Sequence, residues 1–247
     1  MRLVTYNIHK GREAAGPTED ELDRLSRALA AYDADIVLCQ EVFHDASGEN
    51  SQSDALARGL GMSAYYAPNA LRRRGHHGNA TFTAWPVERW ENFDLSTNPI
   101  ERRGVLYARI PLASGPLHVL NVHLGLNHWQ RRSQLKRIQI LIASLCLPHE
   151  ALVLAGDFND WHGRIEKAVI RDLGLDNALA QLPPLERRTW HARRPLLSLD
   201  RIYVRGLEVR QPERLTGEPW SRLSDHLPLG VELQARPSLG ATGGKEH

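Results

Sequence analysis

Apolar runs that stop at a polar side chain recur along this chain. Leu152-Val153-Leu154-Ala155-Gly156 ends at Asp157-Phe158-Asn159. Read as an extended strand, the run sends alternate side chains to opposite faces, so Asp157 and Asn159 point the same way while the apolar residues anchor the backbone. Leu3-Val4-Thr5-Tyr6 stops at Asn7, Asp35 through Cys39 at Gln40-Glu41, and Leu117 through Val122 at His123. Ser224-Asp225-His226 stands before the strand-like Leu229 to Leu233. Singly, each has a structural alternative: Glu41 solvated, Asn7 capping a turn, His123 a satisfied interior histidine, and Gly-Asp-Phe-Asn a turn whose short polar side chains bond their own backbone. Five such groups in one chain shift the balance towards chemistry.

Apolar spacing predicts helices over 19–32, where Leu22, Leu25, Ala28 and Leu29 share a face, and over 51–61, 128–146 and 163–172. In the third of these, Leu135, Ile138, Leu141, Ile142 and Leu145 form one face, Arg131, Arg132, Lys136 and Arg137 lie elsewhere, and Pro148 stops the helix. Besides the runs above, Val, Thr, Tyr and Trp content predicts strands near 63–68, 79–84, 86–93, 103–111, 199–205, 207–213 and 229–235. Strands alternating with helices in the outer parts, and strand-rich stretches between, argue for an α/β layered fold with mixed sheets. Periodicity alone does not choose the topology.

Length and composition suit one domain: 247 residues with 42% hydrophobic content can bury a substantial core. Lys plus Arg number 31 against 29 for Asp plus Glu, and the net charge of +2 gives no strong global attraction to nucleic acid or an anionic membrane. Cys39 and Cys146 fall in apolar surroundings and are expected to be free, acting as small hydrophobes. Met1 leads straight into a strand, and no apolar run approaches the roughly 18 to 20 residues of a membrane span, so the expected location is the cytoplasm.

Asn7 within Thr-Tyr-Asn-Ile-His, Glu41 within Gln-Glu-Val, His123 within Val-His-Leu, Asp157 and Asn159 within Gly-Asp-Phe-Asn, Asp200 within Leu-Asp-Arg-Ile-Tyr-Val, and Asp225-His226 after Ser224 together resemble the endonuclease/exonuclease/phosphatase superfamily, in the family's order. The resemblance covers about residues 1 to 235. It implies two mixed β-sheets packed face to face and flanked by helices, a four-layer α/β sandwich with catalytic residues on loops at one edge. The domain would occupy 1–236, with 237–247 a flexible tail. It also implies a phosphoesterase dependent on Mg2+, with Mn2+ as a substitute, in which water attacks a phosphodiester. The His123 segment resembles the histidine-containing branch rather than relatives like exonuclease III, which carry a tyrosine motif there.

On that resemblance Glu41 is the principal metal ligand, with Asn7 beside it and Asp225 a second ligand. Asp157 orients or deprotonates the attacking water, and Asn159 holds that water or a phosphate oxygen. His226 contacts the phosphate, its imidazole fixed by Asp200, and His123 serves the leaving-group side. Substrate signals are coarser. Arg72, Arg73 and Arg74, in a glycine-containing insert from Asn69 to Asn79, and Arg103 before a strand can grip phosphate; both groups also read as solvated charge. Trp161, close behind Asn159, is a candidate cleft residue. The substrate stays open among a lipid head group, a small molecule and a nucleic acid, the last implying an endonuclease or exonuclease. The alternative class is a binding protein that keeps the fold without turnover. Oligomeric state is left open.

Overall fold

The alternating strands pair into two six-stranded sheets. The computed structural model describes residues 1–11, 21–46, 51–72 and 75–236. In chain order the elements are β1 (Arg2–Asn7), α1 (Glu21–Tyr32), β2 (Ile36–Asp45), α2 (Gln52–Leu60), β3 (Ser63–Arg72), β4 (Gly75–Thr83), β5 (Arg89–Asp94), β6 (Gly104–Leu112), β7 (Gly115–His123) and α3 (His128–Leu145). There follow β8 (Ala151–Asp157), α4 (Glu166–Leu173), β9 (Asp176–Asn177), β10 (Asp200–Arg205), β11 (Leu207–Arg214), α5 (Trp220–Leu223) and β12 (Leu229–Ala235). One sheet runs β11-β12-β1-β2-β4-β3 and the other β5-β6-β7-β8-β10-β9. Both are mixed, with β1–β2 and β7–β8 the parallel pairs.

Every central strand is buried on both faces, and alternation decides which side chain faces which layer. Leu3, Ile36, Leu38, Leu117, Val119, Val153, Ala155, Ile202, Val204, Leu229 and Val231 fill the space between the sheets. The opposite parity, Val4, Tyr6, Val37 and Cys39, packs with Leu25, Leu29 and Leu56 of α1 and α2. On the far side Leu120, Val122, Leu152, Leu154 and Tyr203 meet Leu135, Ile138 and Ile142 of α3 and Val169 of α4. This is the four-layer α/β sandwich that the resemblance implied. Burying a branched aliphatic side chain is worth about 1.5–3 kcal/mol, so these three cores hold the strand ends that carry the polar groups.

Several local expectations need correction. The second strand does not stop at Gln40-Glu41 but continues to Asp45, because β4 pairs with it on both sides of a register shift between Cys39 and Val42. The insert from Asn69 to Asn79 is mostly hairpin: β3 and β4 pair out to Arg72 opposite Gly75. Arg73, Arg74 and the expected tail 237–247 lie outside the described residues, and only the backbone of Arg72 is described. Arg131 is buried, its guanidinium donating to the carbonyls of Gly125 and Leu126, which caps the loop that enters α3. Cys39 and Cys146 are free and buried. No helix among the described residues is long and apolar enough to cross a membrane.

Candidate active site

The parity that fills the inter-sheet core also aims polar groups at its edge. Counting by twos from Leu3 reaches Asn7, from Val153 reaches Asp157, from Leu117 reaches Asn121 and His123, and back from Ile202 reaches Asp200. Register then aligns them: His123 is the cross-strand partner of Asp157 in β8, and Asp157 of Asp200 in β10. The row depends on Gly156, whose φ is +138° and whose absent Cβ would lie 2.0 Å from the Val122 carbonyl oxygen.

Asp157 is the centre of the cluster. Asn7 Nδ2 donates to its Oδ2 at 3.0 Å, His123 Nε2 lies 3.5 Å from that oxygen, and His226 Nε2 lies 3.9 Å away. The other oxygen, Oδ1, accepts the backbone N–H of Asn159 at 2.8 Å. Burial pushes the Asp157 carboxyl up from its usual range; His226 opposes the rise and Asp200 adds to it. The Asp157–Asn159 contact corrects the expected geometry. The strand ends at Asp157, Asn159 turns to φ +48°, and its Nδ2 donates to the Leu124 carbonyl at 2.9 Å. The Gly-Asp-Phe-Asn segment is therefore a strand end and a side-chain-bonded turn at once.

His226 Nδ1 meets Asp200 Oδ2 at 2.8 Å, the pairing expected from the sequence. Burial disfavours the imidazolium, but Asp200, with Asp157 and Asp225 near it, pushes its pKa up to about 10. His123 behaves oppositely: burial and the positive Arg103 hold it well below its ordinary value, so it is neutral at neutral pH. Arg103 is itself engaged by Glu101 at 2.8 Å.

Glu41 reaches the site by a different route. Strict alternation would turn it with Val37 and Cys39 towards the helices. The β2 bulge, with Glu41 at φ +57°, re-aims it. Its side chain is 20% exposed and meets Lys10 Nζ at 2.7 Å. Burial would raise the Glu41 carboxyl, but His123 and Lys10 outweigh it and hold it at about 2. At neutral pH, where His123 is neutral, Lys10 is the cation it faces. Asp225 lies 2.8 Å from His9 Nδ1 and accepts from Trp190 Nε1 at 3.2 Å. Burial notwithstanding, the His9 contact and the charge of His226 hold it well below the usual carboxylate range.

Mg2+ and Mn2+ prefer hard oxygen donors, and Mg2+ typically takes one or two carboxylates and keeps several waters. Glu41 fits: it is ionised and partly open, and an ion there would take the place of Lys10 as its positive partner. Asp157, Asp200 and His226 form a second group, with ligand atoms within 4.8 Å of one another. There, among the described residues, Asp200 Oδ1 is buried without a partner and His226 Nε2 makes no hydrogen bond, so an ion would displace the Nε2 proton of the imidazolium while Nδ1 stays bonded to Asp200. The Asn7 amide is committed elsewhere, since Nδ2 serves Asp157 and Oδ1 accepts the His9 N–H.

A network that the sequence reading missed ties the sheets together behind these groups. Gln40 Nε2 donates to Asn121 Oδ1 and Thr5 Oγ1, and Asn121 Nδ2 donates to the carbonyls of Cys39 and Ala80 at the bulge. Asn79 Nδ2 donates to the Asn121 carbonyl. The bonds that Thr189, Trp190 and Ser224 make were also missed. The Ser224 hydroxyl donates to the Asn7 carbonyl, and the Thr189 hydroxyl accepts the N–H of Leu199. The Asn121 signal was available, two residues before His123 in the same strand and on the same face.

The model of the Endonuclease/Exonuclease/phosphatase family matches residues 4–226. The chain is 37% identical over 244 residues to the uncharacterized protein YbhP of Escherichia coli, covering 94% of this chain and 96% of that one. Among solved structures it resembles an endonuclease/exonuclease/phosphatase from Beutenbergia cavernae, with TM-score 0.81, 20% identity, and coverage of 95% and 71% of the two chains. It also resembles D. rerio TDP2 complexed with single strand DNA product, with TM-score 0.74, 17% identity, and coverage of 95% and 99%.

Proposed function

We propose that this chain, which belongs to the endonuclease/exonuclease/phosphatase family, is a divalent-metal-dependent phosphoesterase whose Asp157 centre hydrolyses a phosphodiester. The observation that carries this reading is the convergence of Asn7, His123 and His226 on one carboxylate oxygen, from strand ends and a loop far apart in sequence. A binding scaffold has no need of a buried carboxylate pushed up towards the range where it accepts a proton at neutral pH.

Asp157 takes a proton from the attacking water, and Asn7 and the Asn159 N–H fix its two oxygens. His226, charged and gripped by Asp200 through Nδ1, keeps Nε2–H for a phosphoryl oxygen. At 3.9 Å from Asp157 that donor makes no hydrogen bond of its own there. His123, neutral and buried, stands on the leaving-group side. Glu41 would hold Mg2+ or Mn2+, with Asp225 as a further oxygen donor; when bound, the ion supplies positive charge to the phosphoryl oxygens. Arg103 and the arginines Arg72, Arg73 and Arg74 are the proposed substrate-side cations.

The test is hydrolysis of DNA, RNA, phospholipid and small phosphodiesters with Mg2+, comparing wild type with Asp157→Asn. The variant should lose at least about 100-fold in turnover. Equal rates in a folded variant would refute the assignment. Calorimetry of Glu41→Gln should show weaker Mg2+ binding, and unchanged affinity would remove Glu41 from that role.

A further inference from the structure

Beside the catalytic edge lies a second concentration of charge that the mechanism does not use. A cleft of about 260 Å³ runs between α3 and α4, and Arg132, Lys136, Arg164 and Lys167 line it with exposed side chains. Arg132 and Lys136 stand four residues apart on α3, one helical turn, so their charges follow one another along the wall. That helix contains no acidic residue. The acid in the cleft, Asp172, is engaged by Arg171, and neighbouring Glu166 is engaged by Asn177. None of the four cations meets a carboxylate among the described residues. A nearly neutral protein thus carries an unneutralised basic cleft.

His128 lines this cleft and also an adjoining depression of about 620 Å³ walled by Trp129, Trp161 and His162. Trp129 is 72% exposed and stacks under the Arg132 guanidinium, 5.8 Å from its ring centroid. Trp161 is 39% exposed and packs edge-on against Trp190, whose Nε1 donates to Asp225. The Trp161 N–H bonds the Asn159 carbonyl. The aromatic wall therefore begins at the catalytic turn and ends at the basic cleft.

Exposed aromatic faces followed by a basic groove are the two elements that hold a single strand of nucleic acid, the rings stacking on bases and the cations tracking phosphates. We propose that the wall of Trp129 and Trp161 and the cleft of Arg132, Lys136, Arg164 and Lys167 bind single-stranded nucleic acid leading to the Asp157 centre. This deepens the phosphoesterase reading, on which it rests, by making the substrate a nucleic-acid phosphodiester. The cations line a concave space, which suits a narrow polyanion better than the flat surface of a bilayer.

The experiment measures binding of a short fluorescein-labelled oligothymidylate in EDTA, with vesicles of phosphatidylserine and phosphatidylcholine as the competing ligand. Wild type should bind the oligonucleotide, and Trp129→Ala should weaken binding about 10-fold. Arg132→Glu with Lys136→Glu should weaken it further and flatten the slope of log affinity against log salt by about 0.7 for each phosphate no longer neutralised. Arg164→Ala with Lys167→Ala repeats the test on α4, so one misfolded variant does not decide it. Equal oligonucleotide affinity in all variants, or binding to vesicles alone, overturns the proposal. Wild-type turnover of bis(p-nitrophenyl) phosphate with Mg2+ is measured separately. Turnover without oligonucleotide binding overturns the cleft, whereas binding without turnover supports the cleft and overturns the hydrolytic reading.

Discussion

Two buried histidines, His226 and His118, sit in nearly the same local setting and end up in opposite charge states. Each has a carboxylate against a ring nitrogen, Asp200 at 2.8 Å for His226 and Glu150 at 3.0 Å for His118. His226 is surrounded by further acids, Asp157 and Asp225, and its pKa rises to about 10. Around His118 burial dominates, and Arg109 and Arg205 oppose the pull of Glu150, so its pKa falls below 6.5. The second ring nitrogen differs as well. His118 Nδ1 is tied to the Tyr107 hydroxyl at 2.9 Å, which closes its hydrogen bonding, whereas His226 Nε2 is left facing Asp157. One carboxylate contact does not make a functional imidazolium; the sum of surrounding charge and an uncommitted donor do.

Removing each ring breaks the comparison most sharply. His226→Ala should cut turnover at least about 100-fold by deleting an electrostatic contact to the phosphoryl group. His118→Ala should leave turnover within a few-fold. It should instead cost about 1–3 kcal/mol of stability by stranding the Glu150 and Tyr107 oxygens, read by denaturant unfolding. Equal kinetic effects from the two variants would erase the distinction.

The carboxylate partners sharpen it on a smaller scale. Asp200→Asn should lower the His226 pKa and move the alkaline limb of the pH–rate profile to lower pH, each pH unit of that movement corresponding to about a 10-fold change in the protonation equilibrium. An unmoved limb would exclude charge coupling between the two residues. Glu150→Gln should have the smallest consequence: a further fall in the His118 pKa, visible by NMR, and no change in the profile.

Stability carries the same signs. The raised pKa of His226 contributes stabilisation that is fully present below its ordinary 6.5 and is lost as pH rises through about 10. His118 has the reverse sense, since folding keeps it neutral where the unfolded chain would be protonated. It therefore favours unfolding as pH falls below 6.5.

What could be read from the sequence follows from how local each cause is. Alternation is local, and it carried Asn7, His123, Asp157 and Asp200 to the inter-sheet edge. The apolar faces of α1 and α3 were legible for the same reason. The bulge at Glu41 was not, because it arises from a register mismatch between β2 and β4 that involves residues some forty positions apart. The turn at Asn159 was weighed as an alternative, and it coexists with the strand end. Arg131 read as surface charge because nothing in helical spacing reveals the two carbonyls it satisfies. His118 and His123 lie five residues apart in one strand, so alternation turns them to opposite faces of the sheet. What alternation does not show is the partners, Glu150 and Tyr107 on one side and Asp157 on the other, that set their roles.

The central claim, that the Asp157 cluster holds a charged imidazole where the His118 site holds a neutral one, is tested most directly by NMR titration of both rings in one metal-free sample. The expected result is that His226 titrates near 10 and His118 below 6.5. A His226 that titrates at or below His118 would contradict it.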